Sequence, residues 1–210
     1  MSKLEAIAQA IEAGKVKIIG GLVEEALAEN VDPLTILNQG MIQTMSIVGE
    51  KFKQGDIFVP EMLIAAKAMK KGVEVLKPRL AGQANISLGT CIIGSVAGDL
   101  HDIGKNLVAM MIESAGFEVI DLGVDVSSET FIKTIKEHPE VRLVAFSALL
   151  TTTLPAMQSA VAAVKASGLQ GFKIIVGGAP ITQAYADQIG ADGYAPDAGS
   201  AAVTAKQLIA

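Results

Sequence analysis

Residues 99–104, DLHDIG, place a carboxylate two positions before one of only two histidines in the chain. A carboxylate at that spacing can accept a hydrogen bond from one imidazole nitrogen of His101, which orients the ring and leaves the other nitrogen free to bind a metal. Gly104 permits a tight turn into the following helix or the close approach of a large ligand. The segment could equally be a helix-capping loop, in which Asp99 and Asp102 accept from free backbone amides and His101 has no chemical role.

The residue inventory limits what such a histidine can join. With two histidines and the single Cys91 in 210 residues, one chain cannot build a disulfide or a metal site of several His or Cys ligands. The net charge of −5, with acids and bases interspersed, argues against a nucleic-acid or anionic-membrane partner. Mean hydropathy is high at +0.45, yet no apolar run reaches the roughly 18 residues of a span. Since no signal peptide is visible and the lone cysteine suits a reducing compartment, we expect a cytoplasmic protein.

Residues 1–82 are predicted to form a helical bundle. Apolar residues recur at helical spacing in four segments, which begin near residues 2, 16, 33 and 59. Asp32 and Pro33 suit the start of the third helix, and Pro78 is expected to end the fourth. Four helices of this length indicate a small bundle, and residues 80–85 are expected to be a linker.

From residue 86 onward the pattern changes to alternating strands and helices. Strands are predicted at 86–96, 117–123, 141–150, 172–178 and 191–197, each followed by a helical segment. Strict alternation predicts a doubly wound, mostly parallel sheet, and five strands suggest a flavodoxin-like layout. Because such sheets bind ligands outside the carboxyl ends of their strands, we expect the site in the loops after the strands.

Three short motifs lie at or just after the carboxyl ends of the first, third and fourth predicted strands. They are D-x-H-x-x-G at 99–104, S-x-L at 147–149 and the pair Gly177-Gly178. In this order they resemble the cobalamin-binding proteins of corrinoid-dependent methyltransferases, including the cobalamin module of methionine synthase. Residues 40–41 and 48–60 also look like the helical cap of that family. The resemblance implies a four-helix cap domain over residues 1–82 and a cobalamin-binding α/β domain over residues 86–210.

The family pattern also implies roles for individual residues. His101 would be the axial ligand below the cobalt, Asp99 would hold its imidazole, and Thr153 would continue the hydrogen-bond relay. Ser147 and Thr151 would contact the displaced nucleotide tail. The remaining residues implied to contact the cofactor are Asp102, Ile103, Gly104, Leu149, Gly177, Gly178, Tyr194 and Ala198, with Phe52 and Val59 over the methyl-bearing upper face.

The function implied by the resemblance is that of a corrinoid methyl carrier. Co(I) would accept a methyl group from a donor-specific methyltransferase, and methyl-Co(III) would deliver it to a second one, with tetrahydrofolate or a thiol as acceptor. A reductive activase would restore oxidised cobalt. No substrate domain is recognisable, so the chain would be a carrier subunit. The alternatives are a cobalamin-binding regulator or sensor without methyl transfer, a mutase small subunit, and a flavodoxin-like domain that binds no cobalamin.

Overall fold

The helices at the N-terminal end begin and end close to the positions that apolar spacing predicts. The computed structural model describes residues 2–80 and 87–210. They divide into a helical unit, residues 2–80 with Ser114–Gly116, and an α/β unit, Ser87–Glu113 with Phe117–Ala210. The boundary predicted between residues 82 and 86, and the expected linker beyond Leu80, lie outside the described residues.

Capping side chains and buried apolar faces explain the helices of the helical unit. Ser2 and Glu5 form a reciprocal capping box, and the Asp32 carboxylate accepts from the Thr35 amide at 2.9 Å. Ile7, Met41 and Met62 are among the fully buried side chains that these helices contribute to their core. The helical segments are α1 (Lys3–Glu12), α2 (Ile19–Ala28), α3 (Pro33–Thr35), a π-helical stretch (Ile36–Ile42), α4 (Gln43–Gln54) and α5 (Val59–Leu80).

Two details of this unit differ from the expectation. The third helix is not uniformly α-helical, since the π-helical stretch Ile36–Ile42 joins α3 to α4. Pro78 does not end the fourth helix, because α5 continues to Leu80. A proline costs one helical hydrogen bond, and here the loss falls in the last turn, where Pro78 is exposed.

Five parallel strands form one sheet in the order β2-β1-β3-β4-β5, which confirms the flavodoxin-like layout. The predicted first strand begins at Thr90, and residue 86 lies outside the described residues. The strands are β1 (Thr90–Ser95), β2 (Glu118–Asp121), β3 (Val141–Ser147), β4 (Lys173–Gly177) and β5 (Gly193–Ala195). The helices are α6 (Ile103–Ser114), α7 (Ser128–Glu137), α8 (Leu154–Ala166), α9 (Gln183–Ile189) and α10 (Ala198–Ile209).

Strand register brings the loops after β1 and β3 to one edge of the sheet. Ser95 pairs with Ser147, and Ser147 with Gly177, so three strands end level with one another. All six residues of β1 are buried, and Phe131 from α7 packs on Phe146 of β3 with ring centroids 4.4 Å apart. The strand order reverses between β1 and β3, which is where sheets of this kind bind ligands. Within the described residues, no helix is both long and apolar enough to cross a bilayer.

Candidate functional site

The carboxylate of Asp99 joins the loop after β1 to the loop after β3. Its side chain is fully buried. Oδ1 accepts a hydrogen bond from the backbone N–H of His101 at 3.1 Å and lies 2.8 Å from Nδ1 of the same ring. Oδ2 accepts from the backbone N–H of Leu149 at 2.7 Å and from the Thr153 hydroxyl at 2.8 Å. The structure therefore brings together His101, Asp99 and Thr153, the three residues that the family pattern places in one hydrogen-bond relay.

Two opposing effects set the ionisation of Asp99. Burial raises its pKa, because it penalises the charged form. The hydrogen bonds from Leu149, His101 and Thr153 act against burial and outweigh it, so the pKa of Asp99 lies well below the usual range. Asp99 is thus an anion, and an anion beside Nδ1 favours the imidazole tautomer with its proton on Nδ1.

His101 is fixed at its backbone and at one ring nitrogen. The Ser95 hydroxyl donates to its carbonyl oxygen at 2.7 Å, while 49% of the side chain is exposed. Nε2 forms no hydrogen bond with any residue that the structure describes. Across residues 2–80 and 87–210, no group of three or more His, Cys, Asp or Glu residues could hold a metal ion. The ring can therefore supply one ligand to a metal whose other ligands come from elsewhere.

The surface around His101 suits a large, partly apolar ligand. Leu100 and Ile103 are 71% and 78% exposed, and the side chains of Leu149 and Leu150 also face solvent. A Cβ on Gly104 would meet no atom within 4 Å, and its φ is not positive, so the fold itself does not require glycine there. Exposed apolar side chains and an open position at Gly104, three residues from His101, suit a metal-bearing macrocycle.

Comparison with known families identifies the family to which the chain belongs. A model described as a B12 binding domain matches residues 89–203, and a second B12 binding domain model matches residues 3–77. The chain belongs to the B12-binding protein family. The expected family and a corrinoid cofactor are thereby confirmed, and His101, Asp99 and the open space at Gly104 fit such a group.

Relatives of this B12-binding protein match it along nearly the whole chain. Dimethylamine corrinoid protein 1 of Methanosarcina acetivorans is 42% identical over 209 residues, 99% of this chain and 97% of that protein. Trimethylamine corrinoid protein 2 of the same organism is 46% identical over 189 residues, 88% and 86% of the two chains. A chain of the methanol:cobalamin methyltransferase complex from Methanosarcina barkeri superposes with a TM-score of 0.85 at 27% identity, covering 99% of this chain and 79% of that one.

The two glycines at the end of β4 have a packing reason of their own. Gly178 has a φ of +130°, and a Cβ there would overlap the carbonyl oxygen of Ala148. A Cβ on Gly177 would lie 2.9 Å from the carbonyl oxygen of Ala195. The close approach of neighbouring backbones thus accounts for both glycines, and their role in lining a slot for the B12-binding protein's cofactor stays a prediction.

The remaining predicted residues lie at several places. Ser147 ends β3 and Thr151 opens a 3-10 turn, and neither hydroxyl bonds to a described residue. The Asp102 carboxylate accepts from the Asn106 side chain at 3.2 Å. Half-buried Tyr194 lies in β5, and buried Ala198 is the first residue of α10; Phe52 in α4 and Val59 at the start of α5 are half-buried residues of the helical unit.

The sequence interpretation missed two acidic residues near this edge. The Asp125 carboxylate, in the loop after β2, accepts from the backbone N–H of Gly98 at 2.7 Å. Asp121, the last residue of β2, pairs at 2.5 Å with the ammonium of Lys105, whose side chain is only 1% exposed. Ligands bind after the strands in such sheets, which indicated the loop after β2 as well, but no sequence motif marked Asp121 or Asp125.

Proposed function

We propose that this chain is a corrinoid methyl carrier. It receives a methyl group from a donor-specific methyltransferase and passes it to a second methyltransferase, with tetrahydrofolate or a thiol as the acceptor. The observation that carries the proposal is the Asp99–His101 pair, which holds one ring nitrogen at 2.8 Å and leaves the other free within a B12-binding domain. Relatives named for dimethylamine and trimethylamine support a methylamine as donor.

In this proposal His101 would hold the corrinoid through Nε2. A bound corrinoid would supply cobalt, whose reduced form is a stronger nucleophile than any side chain and suits methyl transfer. Asp99 keeps the proton on Nδ1, so that Nε2 presents its lone pair. Leu149, Ser147, Thr151 and Tyr194 of the α/β unit would contact the rest of the cofactor.

Thr153 continues the relay beyond Asp99. Its hydroxyl lies 2.8 Å from Asp99 Oδ2 and 2.9 Å from the Leu150 carbonyl oxygen, and its single proton can serve one acceptor at a time. The Thr153 hydroxyl therefore stabilises the Asp99 anion, and that anion in turn holds Nδ1 of His101.

The proposal extends to partners and location. A reductive activase would restore cobalt that has lost its reactive oxidation state. The acidic net charge of −5 supports a carrier that binds proteins and a cofactor rather than nucleic acid or a membrane, and a cytoplasmic site suits its single cysteine.

Absorption spectra of the protein reconstituted with hydroxocobalamin test the ligand. Wild type and His101→Ala should differ in the bands that report the lower ligand. His138→Ala is the matched control, because His138 is the second histidine and also places Nδ1 near a carboxylate, 2.9 Å from Glu140. Identical spectra for wild type and His101→Ala would exclude His101 as the ligand.

Methyl transfer tests the carrier role. The loaded, reduced protein would be incubated with dimethylamine, trimethylamine or methanol and a methyltransferase specific for each. We expect methylation of the corrinoid with a methylamine, followed by its loss when a second methyltransferase and acceptor are added. Failure with every donor, despite corrinoid binding, would favour the regulator or sensor.

A further inference from the structure

We propose that Asp125, in the loop between β2 and α7, is a positioning residue for the His101 ligand. The proposal rests on the corrinoid-binding role proposed above. Asp125 forms no hydrogen bond with the imidazole of His101, so it would act through the backbone of Gly98 and Asp99.

Asp125 forms one hydrogen bond with the backbone of Gly98 and another with the backbone of Asp99. Its Oδ1 accepts from the N–H of Gly98 at 2.7 Å, and its own N–H donates to the carbonyl oxygen of Asp99 at 2.9 Å. A carboxylate acceptor gives a stronger hydrogen bond than a neutral one. The two bonds therefore fix the chain on either side of the buried carboxylate that orients His101.

The backbone of Asp125 adopts a conformation that serves these two bonds. Its φ is +53°, one of two positive values among described residues other than glycine, and Asp is one of the few side chains that tolerate it. Two backbone hydrogen bonds hold the same loop on β1. The N–H of Ser95 donates to the carbonyl oxygen of Gly123 at 3.0 Å, and the N–H of Val126 donates to the carbonyl oxygen of Ser95 at 2.9 Å. Asp125 thus lies in a part of the loop that is hydrogen-bonded to β1 on both sides.

The position of Asp99 matters because its carboxylate contacts two segments, His101 in its own loop and the loop after β3. Oδ2 must meet Leu149 and Thr153 in the loop after β3, while Oδ1 must meet His101. Hydrogen bonds weaken steeply with misalignment, and a metal ligand needs its geometry held within about 0.5 Å. Freeing Gly98 should therefore loosen the imidazole without removing any group that contacts it.

The test uses the full chain reconstituted with methylcobalamin. Asp125→Ala and Asp125→Gly both remove the carboxylate, but they have opposite preferences at positive φ, so an effect that they share belongs to the side chain. Asp125→Asn keeps an oxygen acceptor. The matched control is Asp192→Ala, which removes a carboxylate that accepts from the Ile174 amide, also at 2.7 Å, where β4 begins.

We expect the ratio of histidine-bound to histidine-free corrinoid, read from the absorption spectrum, to fall about tenfold in both deletion variants, as for losing one charge-assisted hydrogen bond. Asp125→Asn should stay within about threefold of wild type, and Asp192→Ala should not change the ratio. In the protein without corrinoid, NMR should show faster amide exchange at Gly98 in the deletion variants only.

Two results would overturn the proposal. They are an unchanged ratio in the deletion variants and an equal fall in Asp192→Ala. An unchanged ratio together with faster exchange at Gly98 would make Asp125 a purely structural residue. Failure of the underlying function looks different, because the wild-type protein and His101→Ala would then have the same spectrum.

Discussion

Replacing Asp99 by Asn should destabilise the α/β unit by about 2–4 kcal/mol, summing one unsatisfied buried donor and the weakening of charge-assisted bonds. The side chain keeps its size, but it has one accepting oxygen in place of two. If that oxygen faces Leu149 and Thr153, the new NH₂ group faces the backbone N–H of His101, which loses its acceptor. The NH₂ group can instead donate to Nδ1, which moves the ring proton to Nε2 and prevents metal binding there.

Urea unfolding followed by tyrosine fluorescence measures this loss in the right unit. The chain has two tyrosines and no tryptophan, and both Tyr185 in α9 and Tyr194 in β5 belong to the α/β unit. Asp192→Asn is the control, because the amide oxygen can still accept from Ile174, and it should cost less than about 1 kcal/mol.

The difference in unfolding free energy should depend on pH in one direction. The pKa of Asp99 is lowered in the folded protein. Its stabilising contribution is thus complete above the unfolded value of about 3.9 and is lost as the pH falls below it toward the folded value. Wild type and Asp99→Asn should differ equally at pH 6 and pH 8 and converge below about pH 4. A difference under about 0.5 kcal/mol at pH 7, or one that grows in acid, would refute this account of the site.

Further substitutions separate packing from cofactor binding. Thr153→Val should lower the unfolding free energy by about 1–2 kcal/mol and Thr153→Ser by less, as measured in the same urea assay. Gly178→Ala should lower the unfolding free energy by at least about 2 kcal/mol, because the new methyl group overlaps the backbone. Gly104→Ala should leave the apoprotein as stable as the wild type and should weaken corrinoid binding, as measured by titration. Asp121→Ala should cost about 2 kcal/mol, because the buried Lys105 ammonium loses its charge partner and keeps its hydrogen bond to Asn106. Lys105→Met should cost under about 1 kcal/mol, and equal losses would contradict the ion-pair explanation.

Local patterns were enough to predict most of the fold. The five strands and their order follow from alternating buried runs and helical segments, since β1 and β3 consist almost entirely of buried residues. Asp32 and Pro33 mark a helix start because capping needs only a side chain and the next three amides. The spacing of Asp99 and His101 allowed them to pair, because two residues in one loop cannot move far apart, but it left a helix-capping loop equally open.

What the sequence did not reveal depends on contacts between distant backbones. Leu149 was predicted to contact the cofactor. In the structure its backbone N–H is a principal donor to Asp99, 50 residues away in the chain. Asp125 reaches Gly98 across 27 residues for the same reason. The π-helical stretch Ile36–Ile42 was not predicted either, because no residue type in the segment marks hydrogen bonds to the fifth rather than the fourth residue.

The burial of Asp99 has a consequence for how the cofactor is captured. Because every partner in the hydrogen bonds of Asp99 belongs to the protein itself, the conformational freedom of the His101 ring is given up when the chain folds. Ordering a side chain on binding costs about 0.5–1.5 kcal/mol, and the arriving cofactor is spared that cost. Affinity for the cofactor and stability of the empty protein are therefore coupled through one carboxylate, so a variant that loosens the empty protein at Asp99 must also hold its cobalt less tightly.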